Sequence, residues 1–538
     1  MNNPQFPLFL STAIPYVNAA PHVGHALELL VADALARHYR QRQRAVLLTG
    51  GTDDHSLKNA RAAAARGIST QALVTEHGDQ FRRLAQVLGV TLDDYLHTSR
   101  DARHAPAVCA LWARCSARGD LYTKEYVGRY CLGCEAFVQD DDLVEGQCPA
   151  HPGLLEEVRE RNWFFRLSRY QERLLQALTS HELRILPAER EREVLSFVQG
   201  GLLDFSVSRD RSRSRDWGIT VPGDPTQVVY VWFDALANYL ALLGFPEQTP
   251  RLARFWGPDS AREHLIGKDI LRFHAVYWPA ILASAGLSLP SSVRVHGFVT
   301  LEGNKIGKSL GNSVDAFALI ERFGSSAVRY YFLRHLHTTK DSDFRVDKLA
   351  EAHDAELAGK LGNLLQRVSA LGLRHPALAL RRGQAAASDA DVNLRDAADR
   401  AVRDVQAAVD DFALQHALAC IFELVSEANR YADTQEPWTL SRQAVVAKTP
   451  QASADLLAQL AHVLWHLLEA LRVAAILLAP FLPEAAREIV KRLGVPTVEL
   501  DDLSCARFGA GARFRLIAGA PLFPRVAPSL SGARASVA

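Results

Sequence analysis

The chain reads as an α/β protein: a doubly wound parallel sheet with a cysteine-bearing insertion and an all-α C-terminal bundle. Three observations predict this. A strand–helix–strand unit opens the chain. A stretch with clustered cysteines, charge runs and short strands interrupts the α/β pattern between residues 116 and 230. Beyond about residue 350 the composition turns to Ala, Leu, Arg and Asp with long helical periodicity.

The elements follow in order. Residues 7–14 form an apolar, strand-like run, and a loop follows over 15–21. Val23, Ala26, Leu27, Leu30, Val31, Ala34 and Leu35 then recur at helical spacing, with Asp33 and Arg37 on the opposite face. Residues 45–49 form a second short strand, which Gly50-Gly51 is expected to end. A β-α-β unit is the building block of a doubly wound sheet, and its ligand site is expected where strands end and the helix begins. After the insertion, strand-like segments return at 228–233, 264–267 and 293–300 and complete the sheet. In the last third, residues 397–432 and 454–478 carry the clearest helical periodicity. A polar loop is expected over 381–391, and residues 527–538 read as a frayed end.

Bulk properties narrow the class. The 538 residues are 48% apolar and 22% charged, which suits a globular protein of several domains and excludes long disorder. A net charge of +1 gives no global basic field, so any RNA contact must be local. The run Arg209, Arg211, Arg213, Arg215 is the candidate patch, and a solvated charged loop is the better reading of it. Seven cysteines in this length argue against a disulfide framework and for a reducing compartment. The first Lys or Arg is Arg37, so no signal sequence is evident and the cytoplasm is expected. Residues 463–483, broken by His466, Glu469, Arg472 and Pro480, read as a buried helix, not a membrane span. Met1 is the only methionine; Leu, Ile, Val and Phe take the core positions Met could fill.

Three constellations carry chemistry. Pro21-His22-Val23-Gly24-His25 opens the first helix. Free N–H groups and the positive dipole end at a helix N-terminus suit phosphate, and two imidazoles flanking a glycine can approach a triphosphate closely. The bland alternative is that the histidines cap the helix. Asn304-Lys305-Ile306-Gly307-Lys308-Ser309 sets two lysines three apart in a Gly-flanked loop that can wrap a polyphosphate; the alternative is a solvated turn. Cys131-x2-Cys134-x13-Cys148-x2-His151 pairs soft ligands with two-residue spacers, the pattern of a tetrahedral Zn2+ site. Four protein ligands leave no open position, so the metal is expected to be structural. Cys109, Cys115, Cys420 and Cys505 are scattered and read as ordinary residues.

Together, H-x-G-H and K-x-x-K-S, with Lys305 following His25 by 280 residues, resemble the two signatures of class I aminoacyl-tRNA synthetases. The segments AIPYVNAAPHVGHALE, GTDDH, YCLGCEAF, GQCPAH, NWFFRLS, DWGITVP, YVWFDALANY, HLIGKDILRFHAVYWPA, HGFVTLEGNKIGKSLGN and NRYADTQEPW narrow the resemblance to methionyl-tRNA synthetases, in order and over nearly the whole chain. The spacing leaves no room for the editing domain of the leucine, isoleucine and valine enzymes.

The resemblance implies a Rossmann-like catalytic core in two halves, 1–115 and 228–325. It further implies a connective insertion with a single zinc knuckle over 116–227, a stem-contact linker at 326–352, and a helical anticodon-binding domain at 353–538. It implies an ATP-dependent activation of L-methionine, transfer to the 3′ end of methionine tRNA, and Mg2+ with the ATP. His22, His25, Lys305 and Lys308 would act on the phosphates. Gly24, Gly267, Asp269, His296, Val299 and Lys308 would hold ATP. Ile14, Tyr16, Asp53, Trp232, Ala235, Leu236, Tyr239, Ile270 and His274 would form the methionine pocket. Chemically the set is apt: a carboxylate for the ammonium, flat rings for a flexible thioether, and Tyr16 and His274 as donors to its sulfur. Asn363, Arg367 and Trp438 would read the anticodon by stacking and hydrogen bonds to base edges.

The chain departs from the family pattern at two places. Ile306 and Gly307 stand where the mobile loop usually reads Met and Ser. Asp54-His55-Ser56 stands where an acidic residue, His and Gly are usual. Activity is expected because both lysines and both histidines are retained. The competing expectations are a paralogue that activates methionine or an analogue for a non-translational acceptor, and a tRNA-binding module with a dead catalytic half; the anticodon trio favours charging over the first. A monomer is expected.

Overall fold

The computed structural model describes residues 6–131, 136–138, 143–149, 153–306, 314–382, 387–511 and 513–525, with the backbone alone at Tyr126, Ala136, Phe137 and Lys305. The chain divides into two compact units. One holds residues 1–21, 45–86 and 91–296; the other holds 22–44, 87–90 and 297–538.

The first unit is built on a six-stranded parallel sheet in the order Asp94–His97, Val46–Thr52, Leu8–Thr12, Ala261–Gly267, Ser292–His296, Arg184–Leu186. The first strand lies in the middle, with its two neighbours reached in opposite directions. This is the topological switch point of a doubly wound sheet. The central strands are apolar because both faces are covered: every residue of Leu8–Thr12 and Ser292–His296 is buried. Phe9, Leu47, Phe233, Ile266, Trp278 and Val293 belong to one continuous core.

The second strand runs on to Thr52 instead of ending at Gly50-Gly51. Gly51 pairs with Leu96, and a Cβ there would stand 2.4 Å from the Leu96 carbonyl oxygen. The glycine is in the strand because the neighbouring strand passes too close for a side chain. The expected strand 228–233 is displaced toward the N-terminus, and it belongs to a separate three-stranded antiparallel sheet instead of completing the parallel one. The strand is Asp224–Val229, and Tyr230 then opens the helix Val231–Leu236. That turn carries Asp234 into the interior, where hydrogen bonds described below hold it. The segment 293–300 likewise divides into Ser292–His296 and Val299–Leu301.

The expected insertion 116–227 carries a four-stranded antiparallel sheet dominated by one long hairpin, Leu121–Cys131 against Leu155–Phe165, but Arg184–Leu186 within those bounds joins the edge of the parallel sheet. Cys131 pairs with Leu155 at the hairpin's far end. The arginine run beyond it is not a uniformly solvated loop. Arg209 is buried with its guanidinium 4.0 Å over the Tyr230 ring, and Arg213 pairs with Glu160 at 2.8 Å.

The second unit is mainly helical. Val23–Gln41 belongs to it, with Ala316–Phe323, Ser325–Arg334, Asn363–Arg374, Asp389–Asp410, Leu414–Gln435, Pro437–Val445, Pro450–Leu478 and Pro483–Leu493. The periodic stretch 397–432 is two helices, which the buried Phe412 separates in a left-handed conformation at φ 58°. Among the described residues, Pro450–Leu478 alone is long and apolar enough to cross a membrane. Of its most apolar window, 89% is buried within the fold. It also carries an internal ion pair, Arg472 with Glu469 at 2.7 Å. A second buried pair joins Arg329 to Asp33 at 2.7 Å, and the same guanidinium donates to the carbonyls of Leu88, Pro480 and Phe481. Such a pair tolerates burial because each guanidinium nitrogen has an acceptor; removing one partner costs about 3–5 kcal/mol. Of the expected polar loop, residues 383–386 lie outside the described residues, and the helix begins at Asp389.

Candidate active site

The H-x-G-H segment caps its own helix. His22 is the N-cap of Val23–Gln41, and its Nδ1 accepts from the Gly24 N–H at 3.1 Å. Three residues on, the Nδ1 of His25 accepts from the His22 N–H at 3.2 Å. The rings lie 4.0 Å apart, and a Cβ on Gly24 would meet the His22 ring at 2.9 Å. The capping and phosphate readings are therefore compatible. Because each Nδ1 accepts, each ring carries its proton on Nε2, as a donor would need to. Burial, with His22 beside it, holds His25 well below the ordinary imidazole range, so it is neutral at pH 7.

Of the lysine loop, Lys305 pairs through its backbone with Thr300, and Ile306 is buried. Lys308 and Gly307 lie outside the described residues. Gly267 and His296 stand side by side as partners at the ends of adjacent parallel strands. Asp269 follows Gly267 in the single turn Lys268–Ile270, and Val299 is buried in its short strand.

The sheet unit gathers the residues of the predicted methionine pocket. A backbone bridge between Tyr16 and Asp53 extends the pairing beyond the first two strands, and the Asp53 N–H donates to the Pro15 carbonyl at 2.9 Å. The Trp232 ring is 6.2 Å from Tyr16 and stacks on Phe273 at 3.8 Å with 7° between planes. The Nε1 of Trp232 is buried with no hydrogen-bond partner among the described residues. Ala235, Leu236 and Tyr239 are buried on the two short helices that follow Tyr230.

Tyr239 and His274 are linked at 2.8 Å through Oη and Nε2, and the Nδ1 of His274 lies 3.1 Å from the Ile270 carbonyl. A carbonyl cannot donate, so Nδ1 carries the proton and Nε2 accepts from the tyrosine. Burial pulls His274 down to about 4, so it stays neutral. In this arrangement both of its nitrogens are engaged within the protein.

Sequence reasoning passed over Asp234 and His104. Asp234 is completely buried between two imidazoles: His55 Nδ1 at 2.6 Å and His104 Nε2 at 2.5 Å. Burial alone would push this carboxyl up, but the two histidines outweigh it and hold Asp234 below the usual carboxylate range. In return Asp234 and Asp54 overcome burial at His55 and raise it. The backbone N–H of His55 donates to Asp53 Oδ1 at 3.3 Å, so His55 meets Asp234 through its ring and Asp53 through its main chain. Asp234 lay within the YVWFDALANY segment, but nothing local marked its partners. Ser56, the departure from Gly, caps the helix Leu57–Ala65 by accepting from the Lys58 N–H at 3.0 Å.

In the helical unit, Arg367 places its guanidinium 4.4 Å over the Trp438 ring and reaches Asp433 at 3.4 Å. Asn363 opens the same helix four residues before Arg367, so the two share a face. In the insertion, Cys131 and Cys148 are buried, while Cys134 and His151 lie outside the described residues. Three thiols and an imidazole are the donor chemistry that zinc takes.

The family of class I tRNA synthetases (M) matches residues 8–154 and 151–369, and a DALR domain matches 405–470. The methionine–tRNA ligase of Brucella suis biovar 1 (strain 1330) is 40% identical over 524 residues, 96% of this chain and 97% of that protein. The methionine–tRNA ligase of Mycobacterium tuberculosis (strain H37Rv) is 40% identical over 494 residues, 91% of this chain and 92% of the relative. A solved structure of Mycobacterium tuberculosis methionyl-tRNA synthetase in complex with methionyl-adenylate superposes with a TM-score of 0.89 at 38% identity, covering 97% of this chain and all of that one.

Proposed function

The chain belongs to the class I methionyl-tRNA synthetases, and from that premise we propose how its residues divide the work of a methionine–tRNA ligase. The reaction has two steps. The methionine carboxylate attacks the α-phosphorus of ATP and pyrophosphate leaves. A ribose hydroxyl at the 3′ end of tRNA then attacks the adenylate carbonyl and AMP leaves.

Asp53 receives the substrate ammonium. Its position is held by the bridge to Tyr16 and by the backbone N–H of His55, whose ring is held in turn by Asp234. The side chain of methionine enters between Trp232 and Tyr16, with Ile14, Ala235, Leu236, Ile270 and the Tyr239–His274 pair closing the pocket. Tyr239 spends its proton on His274, and His274 spends its own on a carbonyl. Selectivity for the thioether therefore rests on shape and sulfur–aromatic contact more than on a donor from that pair.

His22 and His25, neutral and protonated on Nε2, donate to phosphate oxygens. Lys305 and Lys308 balance the charge that builds as pyrophosphate departs. Gly24, Gly267, Asp269, His296 and Val299 hold the adenosine, and Mg2+ accompanies the ATP. Cys131, Cys134, Cys148 and His151 hold one structural Zn2+, with no part in the chemistry. Asn363, Arg367 and Trp438 read the anticodon of methionine tRNA. We place the enzyme in the cytoplasm, as a monomer without membrane attachment.

The observation that carries the pocket assignment is the gathering of Asp53, Trp232, Tyr239 and His274 in one unit although up to 221 residues separate them. Methionine-dependent ATP–pyrophosphate exchange, run beside a panel of other amino acids, tests it. Methionine is expected to be preferred strongly; an equal response to leucine or valine would remove the pocket assignment.

A further inference from the structure

The helical unit contains a group of side chains that the ligase reaction does not use. His462 and His466 stand four residues apart on Pro450–Leu478 and so share a face. Asp391 meets them from the first turn of Asp389–Asp410. Its Oδ2 accepts from the N–H of Ser388 at 2.8 Å and from the Ser388 hydroxyl at 2.9 Å, with His462 Nε2 at 3.0 Å. The Tyr431 hydroxyl donates to Oδ1 at 2.6 Å.

The fourth side chain does not fit this pattern. The Nδ1 of His466 lies 2.9 Å from the His462 carbonyl, which has no proton to give, so Nδ1 is the donor. In the neutral form Nε2 is then an acceptor, and it lies 3.7 Å from Asp391 Oδ1. Two acceptors facing each other at that distance repel unless a cation lies between them. A proton is one such cation: burial opposes it, while the His462 carbonyl and Asp391 favour it. A metal ion is the other cation that fits. Ligand atoms on a tetrahedral Zn2+ stand roughly 3.3 Å apart, given bonds of about 2.0–2.1 Å. The ligand atoms of Asp391, His462 and His466 all lie within 4.8 Å of one another.

We propose that Asp391, His462 and His466 form a second metal site, for a first-row divalent ion of the Zn2+ type, that clamps Asp389–Asp410 to Pro450–Leu478. The ligands are Nε2 of each histidine and a carboxylate oxygen of Asp391. His462 gives up its hydrogen bond to Asp391 and carries its proton on Nδ1. Water completes the shell from the side where His462 is partly exposed. The supporting contacts are those a metal site needs: the carbonyl on His466 Nδ1–H fixes the tautomer, and Ser388 and Tyr431 hold the carboxylate. Two imidazoles and one carboxylate select Zn2+, Ni2+ or Cu2+ over Mg2+ or Ca2+.

The test uses the full chain, cleared of loosely held metal and titrated with Zn2+ and with Co2+. Wild type is expected to take up one more equivalent than His462→Ala or His466→Ala. The difference should persist with the cysteine cluster loaded. Co2+ at this site should give weak visible bands without the near-UV thiolate band of a cysteine site. His462 is partly exposed, so His462→Ala is expected to fold and to keep normal pyrophosphate exchange while binding Zn2+ at least tenfold more weakly. The proposal is overturned if wild type and both variants bind the same number of ions, or if the extra equivalent disappears only when a cysteine is replaced.

Discussion

Asp234 in the sheet unit and Asp391 in the helical unit are each flanked by two histidines, yet the two clusters behave differently. Asp234 accepts from His55 through one oxygen and from His104 through the other. Asp391 spends its oxygens on Ser388, Tyr431 and His462, and meets the lone pair of His466. The difference arises on the far side of each ring. The carbonyl of His462 takes the Nδ1 proton of His466, whereas the His55 Nδ1 points at the carboxylate itself. The same three residue types meet differently in the two places, because the second hydrogen bond of each imidazole sets its tautomer.

The largest test of this comparison is deletion of the carboxylates. Asp234→Ala strands two buried imidazoles and is expected to cost about 3–5 kcal/mol, while Asp391→Ala leaves mostly neutral donors and costs about 1–3 kcal/mol. Chemical denaturation measures both, and an equal loss would erase the distinction between the clusters.

Catalysis should separate the regions next. His25→Ala or Lys308→Ala is expected to slow adenylate formation about 100-fold, the scale of removing a transition-state donor, with little change in methionine binding. His462→Ala should leave exchange untouched. Near-normal exchange in both of the first two variants would remove the phosphate assignment.

Trp438→Ala is expected to weaken tRNA charging by about 1–3 kcal/mol, one lost stacking partner, while exchange is unaffected. A parallel fall in both activities would make Trp438 a packing residue.

The smallest effect is in pH, and the clusters should respond with opposite sign. His55 is raised in the fold, so its contribution is complete below the unfolded value of about 6.5 and is lost as pH rises through the folded value. His466 is lowered, so the unfolded chain takes its proton first and stability falls as pH drops below about 6.5. From pH 7.5 to 5.5, with chelator present, His466→Gln should lose less stability than wild type and His55→Gln more. The other buried histidines cancel in these differences. Shifts of the same sign in both variants would contradict the assignment.

Much of this was readable along the chain because the signals are local. The opening strand and helix follow from apolar period, the H-x-G-H cap from position at a helix start, and the all-α last third from its repeating Ala and Leu. The stretch 463–483 read correctly as buried, since its His, Glu and Arg residues need protein partners and Arg472 has Glu469, but its helix ends at Leu478 and another begins at Pro483. Local signals misled where a neighbour decided the outcome. Gly50-Gly51 looked like a strand end, yet Gly51 stays in the strand because the Leu96 carbonyl leaves no room for a side chain. The apolar run 228–233 looked like one strand, yet it turns helical after Tyr230 and carries Asp234 inward.

The sequence by itself therefore determined the family, the order of sheet, insertion and bundle, and the residue types proposed for phosphate, methionine and anticodon. All of these are carried by short motifs or by periodicity within a single element. Tertiary structure alone decided the partners of Asp234, 179 and 130 residues away, the tautomer of His274, and the meeting of Asp391 with His462 across 71 residues. A buried charge is tolerable only where the completed fold brings its counter-charges and donors within hydrogen-bonding reach, and no local pattern encodes that distance.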